Sequence, residues 1–327
     1  LLGLVGSEMC IRDSYWNVKS TKKLGIVIPI YNESKTILNV LEDIKNLDYL
    51  NEKFEDFEIL VVDDGSDDSS GSILKNADWI SVVSHGYNMG VGAAVRSGLQ
   101  YFEKKNFDFV IKIDGDHQHS VDEIKYLLDP ILNNESDLIY GDRFNGNINY
   151  KMPRHRILGN KFFTFILKKL TKYEITDSQP GFFAGNKNFL NNFYILTNYN
   201  YTQQIIYSSY IAGLRFKQVP ISFNERVSGE SFVKYSYPFK AILQILLMIV
   251  LKKPLAIFGN MGLILITSSL VISISQLINF LNNQTSKPVE NVNLVLGLGI
   301  TGLIFLITGV ILKSIQNLEE VKRKNIT

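Results

Sequence analysis

Residues 107–119 read FDFVIKIDGDHQH. The run from Phe107 to Ile113 is apolar and β-branched, too short for a helix, and predicts a buried strand. It ends in Asp114-Gly115-Asp116, two carboxylates one residue apart. At a strand end such a pair suits a hard divalent ion and leaves coordination positions for diphosphate oxygens. Gln118, one alternation further, adds a neutral oxygen. Asp-Gly is also a common turn pair, so the two acids alone weigh little. Their surroundings decide the matter.

Outward from this strand the chain alternates strand and helix. Leu24–Ile30 (LGIVIPI), Phe57–Val62 (FEILVV), Trp79–Val83, Asp137–Tyr140 and Phe216–Phe223 read as further strands. Helices are predicted after Ser34, as its cap, with Ile37, Leu41, Ile44 and Leu47 on one face, then over Val91–Lys104 and Val121–Leu132. Such alternation implies βαβ units and a parallel sheet covered on both faces. Ligands then bind beyond the carboxyl ends of the strands. Tyr31-Asn32-Glu33, Asp63-Asp64-Gly65-Ser66 and Asp114-Gly115-Asp116 all fall at such ends. Asp64 suits a nucleobase or ribose, and Ser66 suits a helix cap.

The 327 residues carry a net charge of +2, which is uninformative beside its distribution. Basic residues are scattered, with no aromatic-interleaved stripe, so nucleic acid is not an expected partner. Cys10 is the single cysteine, which excludes an internal disulfide framework. The opening LLGLVGSEMCIRDS lacks a basic n-region and resembles a translated sequencing-adaptor tail. Residues 1–20 are set aside as artefactual or disordered.

Between residues 255 and 312 the only charges are Lys287 and Glu290. Leu255–Phe280 and Val292–Leu312 are long and apolar enough to span a bilayer. The shorter apolar run Ala241–Leu251 is expected to lie in the interface. Lys252, Lys253, Lys313, Lys322, Arg323 and Lys324 flank the outer ends, which predicts a cytoplasmic catalytic domain.

Several other side chains suggest chemistry. Arg143, Arg154 and Arg156 follow the Asp137–Tyr140 strand, and Arg226 precedes the membrane segments. Guanidinium groups suit bidentate phosphate binding, and isolated surface charge is the bland alternative. His117 and His119 flank Gln118. With oxygen ligands beside them and no cysteine partner, they point away from zinc and toward a structural or substrate-contact role.

The order Pro29-x-Tyr31-Asn32-Glu33, Asp63-Asp64-Gly65-Ser66, Asn88-x-Gly90-x-Gly92-x-Ala94 and Asp114-x-Asp116-x-Gln118-His119 resembles family 2 glycosyltransferases. Within that family it is most similar to dolichyl-phosphate mannose synthases and polyisoprenyl-phosphate glycosyltransferases. Asp177 with Gly181-Phe182, and Arg226-x-x-Gly229-x-Ser231, match as well. Phe232 departs from a more usual Lys, with Lys234 as a substitute, and Ser120 from a usual Pro.

The resemblance implies an α/β, GT-A, Rossmann-like and mostly parallel catalytic domain over 21–235. An amphipathic juxtamembrane helix would follow over 236–253, a transmembrane hairpin over 254–315 and a cytoplasmic tail over 316–327. It implies inverting transfer of a hexosyl group from GDP-mannose or a UDP-hexose to undecaprenyl or dolichyl phosphate. Mg2+ or Mn2+ would sit on Asp114, Asp116 and Gln118. Pro29, Tyr31, Glu33, Asp64 and Asp114 would line the nucleotide-sugar pocket, with Asp116, Arg143 and Arg226 catalytic. Arg154, Arg156, Arg226 and Ser231 would meet the lipid phosphate. The setting would be a prokaryotic plasma membrane, or the endoplasmic reticulum of a eukaryote, and a homo-oligomer is left open.

Three rivals are weaker. Gly90-Val91-Gly92-Ala93-Ala94-Val95 partly mimics a dinucleotide fingerprint, but Val95 replaces its third small residue. A processive polysaccharide synthase would carry a Gln-x-x-Arg-Trp motif, and both tryptophans, Trp16 and Trp79, lie elsewhere. A non-catalytic scaffold has no need of intact acidic clusters.

Overall fold

The computed structural model describes residues 20–226, 242–243, 245–247, 249–250 and 253–324. The chain divides into two compact units, the first ending at Lys234 and the second beginning at Tyr235.

The first unit is built on a seven-stranded sheet. Its strands are β1 Leu24–Ile30, β2 Phe57–Asp63, β3 Ser81–Ser84, β4 Phe109–Lys112, β5 Leu138–Ile148, β6 Phe183–Asn186 and β7 Phe216–Phe223. Their spatial order is β3-β2-β1-β4-β6-β5-β7. All seven residues of β1 are buried, as its unbroken apolar run requires of a strand covered on both faces. The helices are α1 Ile37–Lys45, α2 Asp48–Lys53, α3 Ser70–Leu74, α4 Val91–Lys104, α5 Ile124–Leu132, α6 Arg154–Thr171, α7 Lys187–Asn192 and α8 Tyr201–Ile211. Ile37, Val40, Leu41 and Ile44 of α1 pack with Ile124, Leu127, Leu128 and Ile131 of α5 in one core cluster against β1 and β4.

The sheet departs from a purely parallel reading at β6, which pairs antiparallel with both β4 and β5. Four residues, Phe-Ala-Gly-Asn, show too little alternation to announce a strand. β5 runs on to Ile148, well past Tyr140, through a register break between Asp142 and Asn147. The predicted caps also shift. Thr36, not Ser34, precedes α1, and the Ser34 N–H donates to Asp68 Oδ2 at 3.2 Å. Ser69, not Ser66, precedes α3. Helices α6, α7 and α8 were not anticipated.

The second unit contains α9 Pro254–Leu281 and α10 Val292–Lys324. Both are long and apolar enough to cross a membrane, and only 17% and 11% of their most apolar windows are buried. They pack through small residues: a Cβ on Gly262 would lie 2.6 Å from the Gly302 carbonyl oxygen, and one on Gly302 would lie 2.8 Å from that of Gly262. Ser269 Oγ donates to the Val295 carbonyl at 2.8 Å, and Phe258 stacks on Phe305. Close backbone approach and interhelical hydrogen bonds are the cohesive forces available in lipid. The described positions between 242 and 250 are helical. Ser231, Phe232 and Lys234, and most of the 1–20 tail, lie outside the described residues.

Candidate active site

β2, β1 and β4 are parallel neighbours, so the loops after them leave one edge of the sheet together. Local bonds fix those loops. Asn32 adopts a left-handed backbone (φ 58°), and its Oδ1 accepts from the Asp67 N–H at 2.8 Å. Its own N–H donates to Ser66 Oγ, which in turn donates to Asp63 Oδ1 at 2.6 Å. Thr36 Oγ1 donates to the Gly115 carbonyl at 2.8 Å, tying the β1 loop to the β4 loop. Gly115 allows that approach: a Cβ there would come within 2.6 Å of Ile30 Cγ2.

Glu33, Asp116 and Arg226 meet where these loops converge. Arg226 donates to Asp116 Oδ2 from Nε at 3.1 Å and from Nη2 at 2.8 Å, and its Nη2 lies 3.4 Å from Glu33 Oε1. Asp116 Oδ1 accepts from the Gln118 N–H. Glu33 and Asp116 are both buried. Burial pushes the Glu33 carboxyl up to about 7, further raised by Asp116 and opposed by the Arg226 charge and the Thr36 hydroxyl. The site therefore gathers two buried carboxyl groups under the Arg226 guanidinium, with burial favouring the neutral form of Glu33.

Asp114 faces a different set. Lys112, fully buried in β4, donates its ammonium to Asp114 Oδ1 and to the Gly181 carbonyl. Burial alone would raise the Asp114 carboxyl, but Lys112 and then His119 hold it well below the usual carboxylate range. His119 lies between Phe182 and Phe223, with its Nε2 3.7 Å from Asp114 Oδ2. Neither of its ring nitrogens has a hydrogen-bond partner among the described residues. A Cβ on Gly181 would come to 2.0 Å from Asp114 Oδ2, so a larger residue there would displace that carboxylate.

The remaining candidates divide. Pro29 is buried at the end of β1, and the Tyr31 hydroxyl donates to Asp67 Oδ2 at 3.3 Å. Asp64 is 2% exposed and accepts from the Met89 and Gly90 N–H groups, with Oδ1 2.6 Å from His85 Nδ1. It thus holds the loop leading into α4. Arg143, expected beside a phosphate, makes a two-pronged ion pair with fully buried Asp177 at 2.6 and 3.0 Å and also donates to the Gln179 carbonyl. Arg154 is exposed and Arg156 half-buried on the first turn of α6, and neither pairs with Glu33, Asp114 or Asp116. His117 Nε2 lies 2.8 Å from Asp43 Oδ2, in keeping with a structural part.

The donor set suits a hard cation. Gln118 donates its backbone N–H to Asp116 Oδ1 and its Nε2 to the Asn224 carbonyl, so the amide nitrogen is engaged and the carboxamide oxygen is the donor atom it could offer a cation. Two carboxylates and a carboxamide oxygen match magnesium or manganese in donor type. Among the described residues no group of three or more His, Cys, Asp or Glu forms a closed cage. Such an ion would share its coordination with ligand oxygens. Sequence reasoning missed Lys112, His85 and Thr36. The signal for Lys112 was visible as a charged residue inside an otherwise apolar strand.

Known proteins are similar to this chain in sequence and in fold. Over 186 residues the chain is 32% identical to the UDP-N-acetylglucosamine–dolichyl-phosphate N-acetylglucosaminyltransferase of Methanococcus voltae, covering 52% of this chain and 71% of that one. It is 25% identical to the polyprenol monophosphomannose synthase of Mycolicibacterium smegmatis, over 65% of this chain and 82% of the other. The fold is similar to that of glucosyl-3-phosphoglycerate synthase from Mycobacterium tuberculosis, solved with Mn2+, UDP-glucose and phosphoglyceric acid. That match has a TM-score of 0.54 at 20% identity and covers 69% of this chain and 79% of the other. The model of glycosyl transferase family 2 matches residues 25–193, and with the acidic strand-end loops this makes the chain a glycosyltransferase of that family.

Proposed function

We propose that this enzyme transfers a hexosyl group from a nucleotide sugar to a polyprenyl phosphate, with inversion at the anomeric carbon, on the cytoplasmic face of a membrane. The observation that carries the reading is the convergence of Glu33, Asp116 and Arg226 at the mouth of three parallel strands, in a chain that also has two membrane-length helices. The named activities of the Methanococcus and Mycolicibacterium relatives support the acceptor class. On this reading residues 21–235 are catalytic, 236–253 lie along the interface and 254–315 form the membrane hairpin.

A phosphomonoester is already anionic near neutral pH, because its second pKa is about 6. It needs positioning and charge management more than a strong general base. Asp114, Asp116 and Gln118 would hold Mg2+ or Mn2+, which when bound supplies neutralisation of the charge on the departing nucleoside diphosphate. Lys112 keeps Asp114 ionised and ready for that role. Arg226, the cation at the site mouth, would engage the incoming phosphate. Pro29, Tyr31 and Glu33 border the nucleotide side. Asp64 serves that side by holding the loop before α4. Arg143 acts through Asp177 as a positioning residue.

The test is incubation of membranes containing the enzyme with labelled GDP-mannose, UDP-glucose and UDP-N-acetylglucosamine and with polyprenyl phosphate. Label should enter the organic phase with one donor, vanish with EDTA and return with magnesium or manganese. Label remaining in water-soluble product would overturn the lipid acceptor, and full activity in EDTA would overturn the metal.

A further inference from the structure

Tyr87, in the loop between β3 and α4, is 70% exposed, and neither its hydroxyl nor its ring has a partner among the described residues. A single exposed aromatic is ordinary on a protein surface. This one is set apart by where it stands and by how firmly the backbone beneath it is held.

Ile30, Asp63 and Ser84 lie in register across β1, β2 and β3, so the loops that begin at Tyr31, Asp64 and His85 leave the sheet side by side. Asp114 and Asp116 follow β4, on the other side of β1. Neighbouring strands are about 4.8 Å apart, so β3 is roughly 14 Å from β4. A nucleotide whose diphosphate sits at Asp114 and Asp116, and which extends past Tyr31 across β1 and β2, brings its base to the β3 loop.

That loop is pinned on both sides of Tyr87. Before it, the His85 N–H donates to the Asp63 carbonyl at 2.8 Å, and the His85 ring bridges Asp64 Oδ1 at 2.6 Å and Ser97 Oγ of α4 at 3.0 Å. After it, the Met89 and Gly90 N–H groups donate to the Asp64 carboxylate at 3.0 and 2.7 Å. Gly65, in a left-handed conformation (φ 73°), presses against the middle: a Cβ there would lie 2.5 Å from the Tyr87 carbonyl carbon. Asp64, 2% exposed, thus commits its carboxylate to the loop that presents the ring.

We propose that Tyr87 is the platform on which the base of the donor nucleotide stacks, given the nucleotide-sugar donor proposed above. A tyrosine on a fixed backbone has little conformational freedom to lose, so contact with a flat base is gained at low entropic cost. Stacking uses the π-face that every base presents. Tyr87 therefore supplies affinity for uridine and guanosine nucleotides alike, and selection between them falls to other groups.

The test is calorimetry on the full chain in detergent with Mg2+, using UDP, GDP and, as the probe without a base, pyrophosphate. Tyr87→Ala should weaken the nucleotide that the wild type binds by at least about fivefold, the low end of base–aromatic stacking, and leave pyrophosphate unchanged. Tyr87→Phe should stay within about twofold of wild type, because the ring and not the hydroxyl makes the contact. Tyr87→Trp, in a chain carrying Trp16→Phe and Trp79→Phe, should lose emission on adding nucleotide and not on adding pyrophosphate. Nucleotide affinity untouched by Tyr87→Ala would overturn the assignment alone. So would an equal loss for pyrophosphate, which would place the effect at the diphosphate end. A wild-type chain that binds pyrophosphate but neither nucleotide would overturn the nucleotide-sugar donor itself, and this role with it.

Discussion

Glu33 shows how a single buried side chain couples charge to stability. Its carboxyl titrates at about 7 in the folded protein against an ordinary value of 4.5. Between those values the folded state holds a proton that the unfolded chain has released, so stability falls as pH rises through the window. Glu33→Gln removes this dependence. The mutant should gain stability relative to wild type from pH 5 to pH 8, by at most about 3 kcal/mol, in melting curves of metal-free protein. A difference that does not change with pH would contradict the raised carboxyl. Asp116 makes the second prediction. Asp116→Asn keeps the shape and leaves Arg226 its Glu33 partner, so the fold should persist while turnover drops at least ~100-fold. Retained turnover in the transfer assay would remove Asp116 from the chemistry. These acids were legible in the sequence because each ends an apolar strand. Arg143 was less so, since a guanidinium suits a carboxylate as well as a phosphate and local sequence does not say which lies opposite. The carboxylate it pairs with in the structure, Asp177, is thirty-four residues away along the chain.

Elements were legible in proportion to their periodicity. β1, β2 and β4 announce themselves as unbroken apolar runs, and α4 and α5 through one-sided burial. β6 does not, because four residues containing Gly and Asn carry almost no pattern, and its pairing is set by tertiary contacts. α8 escaped for the opposite reason. Nine of its residues, from Tyr201 to Ser209, are buried, so polar and apolar positions alike face the interior and no stripe shows. In the membrane-length pair, length and composition gave the helices but not their seam. That seam runs through Gly262 and Gly302, where a Cβ on Gly302 would meet the Gly262 carbonyl and Ile266 Cγ1, each at 2.8 Å. Gly302→Leu should therefore force the helices apart, costing about 1–3 kcal/mol and lowering the melting temperature in detergent. Gly297→Leu, with nothing within 4 Å of its Cβ, is the matched control and should melt like wild type. Equal melting of both variants would rule out the glycine seam as a packing surface.

At the scale of the whole molecule the question is which side of a bilayer would hold the active site, and the charge pattern makes a prediction. Lys252 and Lys253 precede α9, and Lys313, Lys322, Arg323 and Lys324 lie in the last few turns of α10. The connection between the helices carries only Lys287 and Glu290. Lys and Arg are retained on the cytoplasmic side of short loops, so six basic residues against one favour both outer ends inside. Two spans return the chain to its starting side, which would put the catalytic unit and the carboxyl-terminal tail in the same compartment. A cysteine at Asn283, in the connection between α9 and α10, should react with a membrane-impermeant thiol reagent on intact cells. One at exposed Ser69, before α3, should react only after the membrane is opened. Both are placed in a Cys10→Ser background, so that no other thiol contributes. The reverse labelling pattern would turn the enzyme over. The acceptor phosphate would then have to be met on the outer face, where the donor would need a carrier of its own.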